Sequence, residues 1–227
     1  MTRGKRFAKQ CSRWMTGVLV LAALLVFTVS GAFSQEPGQT KTILDEWNAV
    51  QAPAPPELKP VTLDPADTAF LVLDIQQSTC NDRQRPRCVQ SVPRIGRFLE
   101  KARSQNISVA HSLTSTGRVE DILTGAKPAP GEPVVRSSVD KFYGTDLDEF
   151  LKERGIRTVV IAGTAANGAV LHTATGAAMR GYRVIVPVDL MSADLYAEQY
   201  TAWHLVNAPG TRRQTTLTRS DLIDWEK

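Results

Sequence analysis

Four short runs of apolar residues, spaced so that a helical segment fits between neighbours, set the strongest limit on what this chain can fold into. They are Thr68–Asp74, Ile107–Leu113, Arg157–Ala162 and Arg183–Asp189. None shows the strict apolar and polar alternation of a strand with one wet face. They therefore read as strands buried on both faces, as in the middle of a parallel sheet. A fifth, Val134–Val139, and a last one, Arg213–Thr218, extend the series. Helical patterns lie between them. Val89–Gln105 carries Val92, Ile95, Phe98, Leu99 and Ala102 on one face, with Pro93 acceptable if it sits in the first turn. Thr145 is a suitable N-cap for Asp146–Arg154, and Gly155 a suitable stop. Further helices are expected over Ala169–Arg180, ended by Gly181, and over Ala193–Leu205. Such alternation predicts an α/β fold, a three-layer αβα sandwich around a central, mostly parallel sheet of five to six strands. In sheets of this kind the ligand crevice lies beyond the carboxyl ends of the strands.

The N-terminus has a different composition. Arg3, Lys5, Arg6, Lys9 and Arg13 form a basic stretch without an acid, Val18–Val29 is apolar, and Ala32 and Ser34 precede a cut before Gln35. Residues 1–34 read as a signal peptide, although a cut after Ala32, or an uncleaved anchor using the uncharged Trp14–Ser34 stretch, also fits. A polar extension over residues 35–61 follows, with an amphipathic piece at Thr42–Val50 and a Pro-rich tether, Ala52–Pro60, that favours extended backbone. Residues 62–227 form the folded domain. Of the 27 Lys and Arg residues five leave with the leader and no acid does, so 22 basic face 23 acidic residues in the remainder, a net charge near −1. That balance supports no nucleic-acid footprint and no membrane contact other than through an uncleaved leader. Beyond Cys11, the cysteines form one close pair, Cys80 and Cys88. In an oxidising compartment this reads as a disulfide closing a short polar loop.

Three segments fall at strand ends. Asp74 closes the first run, and Asp74 to Gln76 then turns toward solvent; read alone, the carboxylate is equally an ordinary turn residue. Lys141 follows the Val134–Val139 strand. Gly163–Val170 joins a strand to a helix start through small residues, which lets backbone N–H groups approach a ligand. With Leu71–Gln76, Val139–Leu147, Val159–Gly163, Thr173–Ala174 and Gly181–Asp189 in this order and spacing, the chain resembles the isochorismatase-like hydrolases from about Val61 to Ile223.

The resemblance implies a small-molecule hydrolase that uses an aspartate as general base, a lysine that orients and polarises, and a cysteine that attacks a carbonyl carbon. Asp74 and Lys141 match. The cysteine position is Ala169, which removes thiol attack by the usual route. The resemblance also assigns the backbone of Ala165, Asn167 and Gly168 to an oxyanion site, often shaped by a cis peptide. Gln76, Phe142 and Tyr143 are the residues expected to line the substrate. Isochorismatases proper carry glycine at the nucleophile position and cleave a vinyl ether by acid catalysis, a mode compatible with Ala169. Metal-holding relatives use an aspartate and two histidines near the second strand, and here His111 lies inside the strand with no such set around it, so neither metal nor other cofactor is expected. His111, His172 and His204 are expected in packing or surface roles. Family habit implies a homo-oligomer. Three readings follow: a metal-independent hydrolase working through Asp74 and Lys141, an inactive protein that binds a small molecule or a partner, and an enzyme in which Cys80 or Cys88 has become the nucleophile.

Overall fold

The computed structural model describes residues 40–226, so the expected signal peptide lies outside the described residues. In chain order the elements are α1 (Ile43–Glu46), β1 (Val61–Leu63), β2 (Thr68–Leu73), α2 (Pro86–Ser104), β3 (Ser108–Thr114), β4 (Val134–Ser137), α3 (Leu147–Glu153), β5 (Thr158–Thr164), α4 (Leu171–Met179), β6 (Arg183–Pro187), β7 (Met191–Ser192), α5 (Leu195–Asn207), β8 (Thr215–Thr218) and β9 (Ile223–Trp225). The chain divides into two units after Val50. In the first, α1 carries its own capping box between Thr42 and Asp45.

The second unit is built on a seven-stranded sheet in the order β4-β3-β2-β5-β6-β8, with β7 paired to the end of β5. Every pairing in it is parallel. One strand more is present than the five to six expected, because two-residue β7 is too short to leave a periodic signature. The sheet is buried on both sides, as its apolar runs require. Ala69, Leu71 and Leu73 of β2 join the core beneath α3, α4 and α5. Phe70 and Val72 face the other core, beneath α2. A small parallel pair, β1 with β9, binds the start of the domain to its end in the register Val61 to Ile223. Sequence periodicity could not reveal it, since each strand has three residues.

Several helix ends differ from expectation. Helix α2 starts at Pro86, where a missing N–H costs nothing, and Pro93 therefore lies inside it rather than in its first turn. Thr145 does supply a cap, its Oγ1 accepting from the Leu147 N–H at 3.3 Å, but the helix begins one residue later than expected. Gly155 ends α3 at φ 67°, the left-handed conformation that glycine adopts without penalty. The Pro-rich run lies along the sheet edge, with the Lys59 N–H donating to the Leu217 carbonyl at 2.9 Å. Together with Trp203 and Arg212, Pro53 and Pro56 line a cavity of about 490 Å³ there.

His111 in β3 packs as expected, buried, with Nε2 2.8 Å from Glu132 Oε2. Glu132 also accepts from Arg103 of α2 at 2.8 and 2.7 Å and from the Ala129 N–H at 2.8 Å. Burial alone would raise its carboxyl pKa. The Arg103 guanidinium, the Ala129 amide and His111 outweigh burial and hold it at about 2 against an ordinary 4.5. A carboxyl depressed on folding stabilises fully above its unfolded value, and that contribution fades as pH falls toward the folded one. Glu132→Gln is therefore expected to cost about 1–3 kcal/mol at pH 7. The gap to wild type should narrow through pH 4.5 toward 2 in urea denaturation; a gap that does not change with pH would show that the charge of Glu132 contributes nothing.

Candidate active site

Strands β2 and β5 are neighbours, and their carboxyl ends release the two loops that carry the expected site residues. Leu73 pairs with Gly163 in register, so Asp74 leaves the end of β2 beside Thr164, the last residue of β5. This closeness demands glycine. At φ 132° a Cβ on Gly163 would stand 2.1 Å from the Leu73 carbonyl oxygen, so no side chain fits.

Asp74 adopts φ 55°, a conformation that aspartate tolerates better than most residues. Its turn is closed by the Gln76 N–H donating to the Asp74 carbonyl at 2.9 Å and by the Thr79 hydroxyl donating to the same oxygen. The carboxyl is 5% exposed and points at Lys141, whose Nζ lies 2.9 Å from Oδ2. Lys141 is wholly buried. Its Nζ is also surrounded by the carbonyls of Ser138 at 2.5 Å, Ser137 at 3.2 Å and Leu113 at 3.3 Å. Four oxygen acceptors thus face a group with three donors, the arrangement an ammonium needs once removed from water. The other carboxyl oxygen, Oδ1, accepts from the Ser112 hydroxyl at 2.7 Å. Burial pushes the Asp74 carboxyl above the usual carboxylate range, while the Lys141 ammonium, the Ser112 hydroxyl and Arg85 pull the other way without cancelling it.

The helix start that should bear the nucleophile is fixed beside the same lysine. Thr173 of α4 accepts from the Lys141 N–H at 3.2 Å and donates to the Val139 carbonyl at 3.3 Å. Ala169 is one turn earlier, buried within a wide turn over Ala166–Val170. In that turn the N–H groups of Gly168 and Val170 donate to the Ala165 carbonyl at 3.0 and 3.2 Å. Asn167 is exposed, and Ala165 and Gly168 are half-buried. The cis peptide of this segment is Thr164–Ala165, upstream of the Asn167 and Gly168 pair considered from sequence.

The three residues expected to line a ligand lie apart in character. Gln76 is buried, its Nε2 donating to Ser78 at 2.6 Å and Thr114 at 3.1 Å, and its Oε1 accepting from the Thr114 N–H at 3.1 Å. Its amide is thus spent on clamping β2 to β3. Phe142 is a core residue, stacked on Tyr182 with centroids 6.0 Å apart and covered by the Arg180 guanidinium. Tyr143 is 78% exposed. Cys80 and Cys88 form a disulfide with Cα atoms 5.3 Å apart and both residues buried. Among the described residues no thiol is therefore free to attack a substrate. Nor is there, among the described residues, a group of three or more His, Cys, Asp or Glu side chains placed to hold a metal ion. Sequence reasoning missed Ser112, Thr173 and Thr79. Ser112 sits within an apolar strand pattern, and only the register of β3 against β2 marks it as a partner of Asp74.

Residues 68–217 match the isochorismatase domain family. The chain is 28% identical over 142 residues to a secreted isochorismatase effector of Verticillium dahliae, covering 57% of this chain and 75% of that protein. It is 28% identical over 152 residues to streptothricin hydrolase of Streptomyces noursei, covering 62% and 58% respectively. The solved structure of N-carbamoylsarcosine amidase from Thermoplasma acidophilum matches with a TM-score of 0.60 and 25% identity, over 68% of this chain and 97% of that one.

Removing one partner of a buried ion pair leaves an uncompensated charge. Lys141→Met is expected to lower unfolding free energy by about 3–5 kcal/mol at neutral pH. The double variant Asp74→Asn with Lys141→Met should recover part of that loss, because the stranded carboxylate is gone. Equilibrium denaturation of the four proteins in a double-mutant cycle checks this, and simple additivity would mean the two groups are not coupled.

Proposed function

This chain belongs to the isochorismatase family, and we propose that it is a hydrolase of a small molecule that works without a covalent thiol intermediate, with Asp74 as general acid and base and Lys141 as its partner. The observation that carries this reading is the buried pair, Asp74 Oδ2 to Lys141 Nζ at 2.9 Å, beside a helix start that holds Ala169 in place of a nucleophile. Relatives named as a hydrolase and as an amidase support hydrolysis as the reaction class.

In this scheme Asp74 removes a proton from a water molecule as that water attacks the substrate, and returns it to the leaving group as the bond breaks. Its raised pKa suits both halves, because a carboxyl titrating nearer to neutrality accepts and gives up a proton more readily. Lys141 holds Oδ2 in place and supplies positive charge to the site. Backbone N–H groups of the Ala165 to Ala169 turn, other than that of Gly168, stabilise developing negative charge on the substrate. The bond cleaved is an amide or ureido bond; for a vinyl ether the order reverses, Asp74 starting protonated, giving its proton to the substrate first and taking one back from the water that then adds. The disulfide and the likeness to a secreted effector support export from the cytoplasm. The emptied nucleophile position also favours a second reading, a binding protein that has kept the site's shape.

Turnover separates the two. Against a panel of small amides, ureido compounds and vinyl ethers, Asp74→Ala is expected to lower kcat by about 10²–10⁴-fold while the circular dichroism spectrum is unchanged. Equal turnover in Asp74→Ala would remove Asp74 from the reaction, and none in wild type on the whole panel would favour binding alone. On amide and ureido substrates, where Asp74 must first be ionised to take a proton, the acidic limb of the pH–rate profile should lie above the usual carboxylate range. A limb at or below an ordinary aspartate value of 3.8 would remove Asp74 from that role.

A further inference from the structure

The two oxygens of Asp74 face chemically different partners, and that difference decides where a proton can sit. Oδ2 faces Lys141 Nζ at 2.9 Å, and an ammonium has donors only. A proton placed on Oδ2 would confront another donor across that distance. Oδ1 faces the Ser112 hydroxyl at 2.7 Å, and a hydroxyl both donates and accepts. Ser112 is 2% exposed, and it is tied to Asp74 a second time because the Asp74 N–H donates to the Ser112 carbonyl at 3.2 Å. Leu73 and Ser112 are register partners in the β2 and β3 pairing, so the sheet itself delivers this hydroxyl to the carboxyl.

We propose that Ser112 is the positioning residue of the acid and base group: it holds Oδ1 of Asp74, confines the exchanging proton to that oxygen, and turns from donor to acceptor as the carboxyl is protonated. The inference rests on the role given to Asp74 above and deepens it. When Asp74 is ionised, the Ser112 O–H donates to Oδ1. When Oδ1 takes a proton, the new O–H donates to Ser112 Oγ and the serine hydrogen turns away. One proton is gained, no heavy atom moves, and the contact between Oδ2 and Lys141 persists through both states. The groups bearing on Asp74 are Lys141 from the segment after β4, Ser112 from β3, and Arg85 from the loop before α2. Of these Lys141 and Ser112 touch the carboxyl, and only Ser112 can accept from it.

The test is a carboxyl ¹³C titration by NMR of the full chain labelled at aspartate, with the Asp74 signal assigned by its loss in Asp74→Asn. Removing the hydroxyl in Ser112→Ala withdraws a charge-assisted donor from the ionised form and only a weaker, neutral partner from the protonated one, so the Asp74 midpoint should rise, by up to about one unit, a tenfold change in proton affinity. Ser112→Thr keeps the hydroxyl and should bring the midpoint back toward wild type. Should Ser112→Ala fail to fold, Ser112→Cys, whose S–H is a weaker donor, should give a smaller upward shift. A merely structural serine would lower the melting temperature and leave the midpoint where it was. An unchanged midpoint in a folded Ser112→Ala, or failure of the threonine to restore it, overturns the proposal. Because the titration needs no substrate, its result is independent of whether Asp74→Ala abolishes turnover.

Discussion

The interaction on which this architecture depends is the ion pair between Asp74 and Lys141, buried almost completely at the carboxyl end of the sheet. Removing two charges from water costs several kcal/mol for each ion, and their mutual attraction repays this only when the remaining hydrogen-bonding capacity is also met. The fold meets it from several sides. β3 supplies the Ser112 hydroxyl and the Leu113 carbonyl, the end of β4 supplies Ser137 and Ser138, and α4 fixes the backbone of Lys141 through Thr173. The pair is therefore a junction through which β2, β3, β4 and α4 constrain one another.

The rest of the site follows from packing two strand ends together. β2 and β5 approach so closely that Gly163 admits no side chain against Leu73, and this brings the Asp74 turn and the wide turn before α4 alongside each other. On one side the Cys80–Cys88 disulfide closes the loop leading into α2. Its formation also occupies both cysteine sulfurs found within residues 40–226, so no free thiol stands there.

Much of the layer architecture was legible in the chain itself. Runs such as Val159 to Ala162 and Val184 to Val186 are apolar on both faces, and a strand buried on both faces has few homes besides the middle of a parallel sheet. Asp74 and Lys141 were legible too, because a charged residue directly after such a run sits where the sheet ends. What escaped were features without periodicity. β1, β7 and β9 are two or three residues long, and their existence depends on the strand beside them. Phe142 and Tyr143 are adjacent in sequence and go to opposite environments, one stacked under Arg180 and the other in solvent, which local sequence cannot distinguish. Gln76 was expected to line a ligand, but whether its amide was free or spent on Thr114 depended on β3.

The sequence by itself determined the class of fold, the strand-end positions of Asp74 and Lys141, and the presence at position 169 of an alanine, which has no thiol, because each of these is a property of residue type and local order. Tertiary structure alone decided that Lys141 is turned inward onto Asp74 rather than out into water, that Ser112 is the second partner of the carboxyl, and that burial raises its pKa. The physical reason is that charge burial and hydrogen-bond pairing are set by what surrounds a group in space. Here, apart from the Ser137 and Ser138 carbonyls, those surroundings come from segments 28 to 67 residues apart in the chain.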